Sequence, residues 1–218
     1  MPRHLEEELK ATKEKILRMG ALVEEQIRNA IKSLMERDSN LARRVIADDH
    51  RVNALDVEVD EDCLHFIALH QPMAKDLRFI TTAMKIATEL ERMSDLAENI
   101  SERAIELNEE PHSQLNMDIP RMAGHAQRMV KEALDAFVNQ DAKLARKVCA
   151  DDDFIDDLMH HVFRDMLTKD PNTISRAVRM TFIAKYLERI ADHATNVAEL
   201  VVYLVEGKII RHTTPPTS

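Results

Sequence analysis

The chain has 218 residues, of which 44% are hydrophobic and 32% charged, and its formal net charge is −9. That acidic balance excludes general nucleic-acid binding and fits partners that are cations or basic surfaces. No stretch of eighteen uninterrupted apolar residues is present to span a membrane, and with three glycines, seven prolines, no tryptophan and 4% aromatics the composition favours long helices around an aliphatic, methionine-rich core.

The first predicted helix runs from Leu5 to Arg37, with Ile16, Met19, Val23, Ile27, Ala30, Ile31 and Leu34 on its apolar face. Gly20 lies inside it at a cost of about 1 kcal/mol relative to alanine, which close helix packing explains. Asp38-Ser39-Asn40 supplies a break and an N-cap. The second helix is expected to run unbroken from Leu41 to Leu69, burying Leu41, Val45, Val52, Leu55, Val59, Cys63 and Phe66, and to end at His70-Gln71-Pro72. The third runs from Ala74 to Leu107. Asn108 to Met117, with Pro111, reads as a polar linker. Asp118 caps a fourth helix that extends from Pro120 to Asn139. A fifth follows from about Leu144 to a short turn at Asp170-Pro171, and a sixth reaches Glu206, with Gly207 as its C′ residue. The tail, 213–218, is expected to be disordered. Met1 to Lys10 is charged and has no apolar signal-peptide core. Cys63 and Cys149 form no C-x-x-C pair, so the expectation is reduced thiols in a cytoplasmic protein.

The second half repeats the first. Leu41-Ala42-Arg43-Arg44-Val45-Ile46-Ala47-Asp48-Asp49 returns as Leu144-Ala145-Arg146-Lys147-Val148-Cys149-Ala150-Asp151-Asp152, an offset of 103. The pattern L-E-R-x-x-D-x-A-x-N-x-x-E occupies 90–102 and again 187–199, an offset of 97. The predicted fold class is therefore all-α, two tandem antiparallel three-helix bundles related by a pseudo-two-fold, with repeats at 1–110 and 118–212. The long helices are each about 45 Å at 1.5 Å per residue.

The recurring motif carries the candidate chemistry. Glu91 and Asp95 lie at i, i+4, so both face one side of their helix, and Glu98 and Glu102 continue the stripe. Stepping back along the same direction, Leu77, Ile80, Met84 and Ala87 make it apolar for three turns before it turns acidic. The second copy changes in the same way, from Ile174, Ala177 and Ala184 to Glu188, Asp192 and Glu199. Like charges at this spacing repel, and clustered carboxylate oxygens are what hard cations take as ligands. Helix two adds Asp49 and Asn53, matched by Asp152 and Asp156. The candidate metal ligands are thus Asp49, Asn53, Glu91 and Asp95 in one half and Asp152, Asp156, Glu188 and Asp192 in the other. Asp48, Asp56, Asp151, Asp153 and Asp157 stand by unranked. Magnesium, manganese, calcium or iron suit such a set, and zinc if a histidine joins. Asn53 leaves the first site one formal charge short, so the second is expected to bind more tightly. A solvated acidic face is the plainer alternative for any one of these residues.

No Gly-rich phosphate loop or local nucleophile-base arrangement is present, and the predicted helices lack the Glu-x-x-His spacing of di-iron bundles. His193, next to Asp192 but about 100° away from it round the helix, is expected at a surface or boundary. Asn99 and Asn196 read as helix-helix contacts or supports for the acids. A metal-binding adaptor without catalysis is the main reading. The alternatives are a carboxylate-bridged metal enzyme acting on oxygen or phosphate, and a metal-free structural adaptor.

Over nearly its whole length the chain resembles the PhoU family of phosphate-transport accessory regulators. The resemblance rests on the doubled acidic motif, on Gln71-Pro72-Met73-Ala74-Lys75-Asp76-Leu77-Arg78 and on the ending Gly207-Lys208-Ile209-Ile210-Arg211-His212. It implies a cytoplasmic homodimer that represses the phosphate-starvation response. It implies coupling of the nucleotide-binding subunit of a phosphate ABC transporter to a sensor histidine kinase, with membrane association through these partners alone. It also implies metal at the acidic motifs, as in some members.

Overall fold

The computed structural model describes residues 3–111, 118–167 and 174–210, and every regular element among them is an α-helix. In chain order these are α1 (Arg3–Met35), α2 (Ser39–Asp48), α3 (His50–His70), α4 (Lys75–Glu109), α5 (Asp118–Asn139), α6 (Ala142–Ala150), α7 (Asp153–Leu167) and α8 (Ile174–Glu206). The turn at Asp170-Pro171 and the tail 213–218 lie outside the described residues, as does 112–117 of the expected linker.

The expectation of one unbroken second helix, and of its counterpart in the second half, is corrected. Each is split in two, at Asp49 and at Asp151-Asp152. The apolar stripe runs through the break without a change of period, from Ala42 and Val45 to Val52, Leu55 and Val59, all buried. Asp49 occupies the stripe position between Val45 and Val52 and is buried with them.

The turns before these split helices are alike. Arg37 and Gln140 hold φ of 56° and 51°, the left-handed conformation that closes a helix. The next residues, Asp38 and Asp141, donate their N–H groups back to Ser33 O and Ala136 O, each at 2.9 Å. Their carboxylates cap α2 and α6, accepting from Asn40 and Leu41 in one half and from Lys143 and Leu144 in the other. Arg37 also donates through Nη2 to Asn108 O (2.7 Å) and Glu110 O (2.6 Å), fastening the end of α4.

Each half is a three-element bundle, α1 with α2/α3 and α4, then α5 with α6/α7 and α8. The halves join through their long helices, α4 against α8 and α1 against α5, so the aliphatic interiors form one continuous core. Gly20 lies at the second of these contacts. A Cβ there would stand 2.8 Å from Leu134 Cδ1, so the glycine permits the close approach of α1 to α5. Across α4 and α8, Glu89 Oε2 meets His193 Nδ1 at 2.6 Å and accepts from Asn196 Nδ2 at 3.0 Å. His193 is therefore a boundary residue between the halves, and Asn196 a helix-helix contact. Asn99 instead donates to Asp95 O on its own helix at 2.7 Å.

Cys63 is buried and Cys149 half-buried, and both are free thiols. Burial, with nearby carboxylates, pushes them up to about 12 and about 11, so both stay protonated and unreactive. No helix among the described residues is long and apolar enough to cross a membrane.

Candidate metal centre

The break between α2 and α3 delivers Asp49 to α4. Its backbone is helical (φ −55°, ψ −41°), its carbonyl accepts from Val52 N at 2.9 Å and Asn53 N at 3.3 Å, and the residue is 8% exposed. Such a buried carboxylate needs hydrogen-bond partners. Asn53 Nδ2 donates to Asp49 Oδ2 at 2.7 Å, and the Ser94 hydroxyl donates to Asp49 Oδ1 at 2.6 Å. Gln26 Oε1 of α1 lies 2.6 Å from the same hydroxyl. A hydroxyl carries one hydrogen, so Ser94 serves one of these two oxygens at a time.

Asp49, Asp95 and Glu98 each bring a carboxylate oxygen within 4.8 Å of the other two. Asp49 comes from the helix break, and Asp95 and Glu98 from successive positions on one face of α4. Glu91 stands one turn before Asp95, and the Arg92 guanidinium reaches both, Nε at 3.3 Å from Glu91 and Nη1 at 3.6 Å from Asp95. Burial pushes Glu91, Asp95 and Glu98 above the usual carboxylate range. Neighbouring charge adds to it, first Asp95 for Glu91 and Asp49 for both Asp95 and Glu98, while Arg92 opposes it at Glu91 and Asp95. Asp56 rises for the same two reasons, burial and then Asp60. Asn53 Oδ1 and Asp56 Oδ1, one turn apart on α3, are buried without hydrogen-bond partners. Three clustered carboxylates and unpartnered buried oxygens nearby are a donor set that fits a hard cation.

The second half assembles the corresponding residues more openly. Loss of solvent around the carboxylate, then Glu188, Asp152 and Asp156, push Asp192 up to about 6 against the opposing Lys185 ammonium, although the residue as a whole is exposed. Lys185 Nζ lies 2.6 Å from both carboxylate oxygens of Glu188. Asp152 is half-buried and accepts from the Thr195 hydroxyl at 3.3 Å. Asp156 is exposed. Among the described residues, the three-carboxylate cluster of the first half has no equally tight counterpart here.

The structure thus brings Asp49 and Asp95 together, keeps Glu91 at their edge and uses Asn53 to hold Asp49. It adds Glu98, which the acidic stripe contained but did not distinguish from the exposed Glu102. The charge missing at Asn53 is supplied by Glu98, whose place in the second half is taken by Thr195. Of the unranked acids, Asp48 is exposed beside Arg51 at 3.8 Å, and Asp151 lies 3.7 Å from Lys147. Asp157 is exposed, and the side chain of Asp153 lies outside those described.

Fold and clusters together define an all-α, internally duplicated helical-bundle protein with an acidic cluster in each half. The PhoU domain model matches residues 16–104 and again 119–201. A phosphate-specific transport system accessory protein PhoU homolog from Aquifex aeolicus is 44% identical over 208 residues, covering 94% of this chain and 94% of that protein. One from Pseudomonas aeruginosa is 40% identical, covering 94% of this chain and 86% of that protein. The crystal structure of PhoU from Pseudomonas aeruginosa superposes with a TM-score of 0.91 at 39% identity, covering 93% of this chain and 99% of that one. That of the phosphate transport system regulatory protein PhoU from Streptococcus pneumoniae gives 0.89 at 27% identity, covering 94% and 99%. The chain belongs to the PhoU family, whose named members are accessory and regulatory proteins rather than enzymes.

Proposed function

We propose that the chain is a non-catalytic, cation-loaded adaptor of a phosphate-specific transport system that holds the phosphate-starvation response down while phosphate is plentiful. The adaptor part is supported by the accessory role in the relatives' names. The observation that carries the cation part is the convergence of Asp49, Asp95 and Glu98 within 4.8 Å. Acids so placed repel and are held above their ordinary pKa values, and a bound cation reverses both penalties. Asp49, Asp95 and Glu98, with Glu91 and Asn53 Oδ1, would hold it in the first half, and Asp152, Asp156, Glu188 and Asp192 in the second. All-oxygen donors favour magnesium, manganese, calcium or iron. Zinc would need a histidine that neither set contains.

In this reading the protein works as a homodimer on the cytoplasmic side. It contacts the nucleotide-binding subunit of a phosphate ABC transporter and the sensory region of a histidine kinase, and reaches the membrane through them. Removing the protein should raise alkaline phosphatase expression in phosphate-replete cells. Pull-downs with both partners should depend on the acidic clusters. Unchanged phosphatase together with empty pull-downs, with and without metal, contradicts the adaptor role.

A further inference from the structure

A cleft of about 530 Å³ opens where the N-terminal part of α1, the first turn of α4 and the last turn of α8 meet. In a protein of net charge −9 it is lined by four cations, Lys10, Lys13, Lys75 and Arg78, and by one carboxylate, Asp76. Cations gathered against one acid repel unless an anion joins them. Their own partners do little to offset this. Lys10 lies 3.7 Å from Glu14, both well exposed, a pairing of small value. Lys13 Nζ donates to the neutral carbonyl of Val138 at 2.8 Å. Lys75 and Arg78 have no ion-pair partner among the described residues, and Arg78 Nε is buried without a hydrogen bond.

The backbone points the same way. α4 is 35 residues long and begins at Lys75, and the residue before it, Ala74, has no side-chain oxygen to cap the first turn. The Asp76 N–H is already bonded to Met73 O at 3.2 Å, but the first turn still carries the positive end of the helix dipole, and its residues Lys75, Asp76 and Arg78 line the cleft. The C-terminal end of α8 brings the opposite partial charge, and Arg78 lies against it. Gly207 makes that approach possible. Its φ is +71°, and a Cβ there would stand 2.5 Å from Arg78 Nη1. With Arg78 offsetting the end of α8, three lysines and an uncapped helix terminus remain against Asp76.

We propose that this cleft is a binding site for a phosphate-bearing anion. A phosphoryl group accepts from several ammonium groups and a helix terminus at once, which a single carboxylate does less completely. The space exceeds one phosphate ion, and Phe79 and Leu204 give it an apolar wall. The phosphoryl group therefore comes either from free phosphate or from an organic phosphate whose remainder rests on that wall. The site is separate from the acidic clusters and does not depend on their holding metal.

The test is isothermal titration calorimetry on the full chain in EDTA, at matched ionic strength, with inorganic phosphate, pyrophosphate and ATP. Saturable binding by one or more of them is expected. Lys10→Gln and Lys75→Gln, both at exposed positions, should each weaken it about tenfold, whereas Lys32→Gln, about 33 Å along α1 from Lys10, should leave it unchanged. Preference for ATP identifies an organic phosphate, and equal or tighter binding of inorganic phosphate identifies the free ion. The proposal is overturned by no saturable binding up to millimolar ligand, or by an equal loss in Lys32→Gln. It is also overturned if binding needs added manganese, vanishes in the Asp49→Asn, Asp95→Asn variant and survives Lys75→Gln. That outcome would put the anion on a metal of the acidic clusters instead.

Discussion

Asp49 and Asp152 occupy the same place in the two halves, yet only the first is sealed in. Asp49 is 8% exposed and held at 2.6 Å and 2.7 Å by Ser94 and Asn53. Asp152 is half-buried and has Thr195 at 3.3 Å. The duplication kept the helix break and the paired Glu and Asp of the motif while changing what surrounds them. Ser94 is replaced by Ala191, Glu98 by Thr195 and Asn53 by Asp156. Four carboxylates attend each site, but the first brings oxygens of three within 4.8 Å of one another, while the second leaves Asp156 and Asp192 exposed and Glu188 paired with Lys185. Counting charges over the ligands assigned from sequence alone, three carboxylates with Asn53 against four, makes the second site stronger. We propose the opposite ranking, because convergent oxygens hold a cation more tightly than dispersed ones.

The largest expected effect separates the sites by metal response. A site at a hundredfold excess of manganese over its Kd adds about 2.7 kcal/mol to stability. The Asp49→Asn, Asp95→Asn variant should lose the rise in melting temperature seen at low manganese. Glu188→Gln with Asp192→Asn should lose only the rise seen at higher concentration. The reverse order would restore the charge-count ranking.

A smaller effect tests the sealing of Asp49. Without metal, Ser94→Ala leaves Asp49 Oδ1 without its hydroxyl and should cost about 1–3 kcal/mol in urea unfolding. Ala191→Ser, which offers Asp152 the same hydroxyl, should be close to neutral. Equal stability of Ser94→Ala and wild type in EDTA would show that the first half is no better closed than the second.

The smallest effect is on pH dependence. Asp192 is raised to about 6 in the folded chain, so between its ordinary value and 6 the folded state holds a proton that the unfolded state has lost. Its contribution to stability is thus present at low pH and falls away as pH rises through 6. In EDTA, Asp192→Asn should flatten this decline and melt higher than wild type at pH 7. With manganese the order should reverse, since the ligand is then missing. If Asp192→Asn melts lower in EDTA as well, Asp192 is stabilised by something other than a cation.

The repeat, the long helices and their apolar faces were legible because period and motif recur at fixed offsets. The break at Asp49 was not, because Asp48-Asp49-His50 contains neither glycine nor proline and the stripe keeps its spacing through it. One signal was available. Asp49 and Asp152 fill positions in the buried stripe where a hydrophobic residue would otherwise stand, between Val45 and Val52 and between Val148 and Ile155. Glu98 was visible as part of the acidic stripe, but periodicity gives direction around a helix and not depth in the bundle. Only the approach of the α2/α3 break separates it from Glu102. The cationic cleft was hidden for another reason, since Lys10, Lys75 and Leu204 come from three helices far apart in sequence.

Each half is proposed to hold a cation on its own acidic cluster. The most direct test is elemental analysis of untagged protein purified without chelator, for wild type, for each half-site variant and for the two combined. Metal should be present in wild type, reduced in either variant and lost when both sets of changes are made. Equal metal content in all four proteins, or none in wild type after equilibration with manganese, magnesium, calcium and iron, would contradict it.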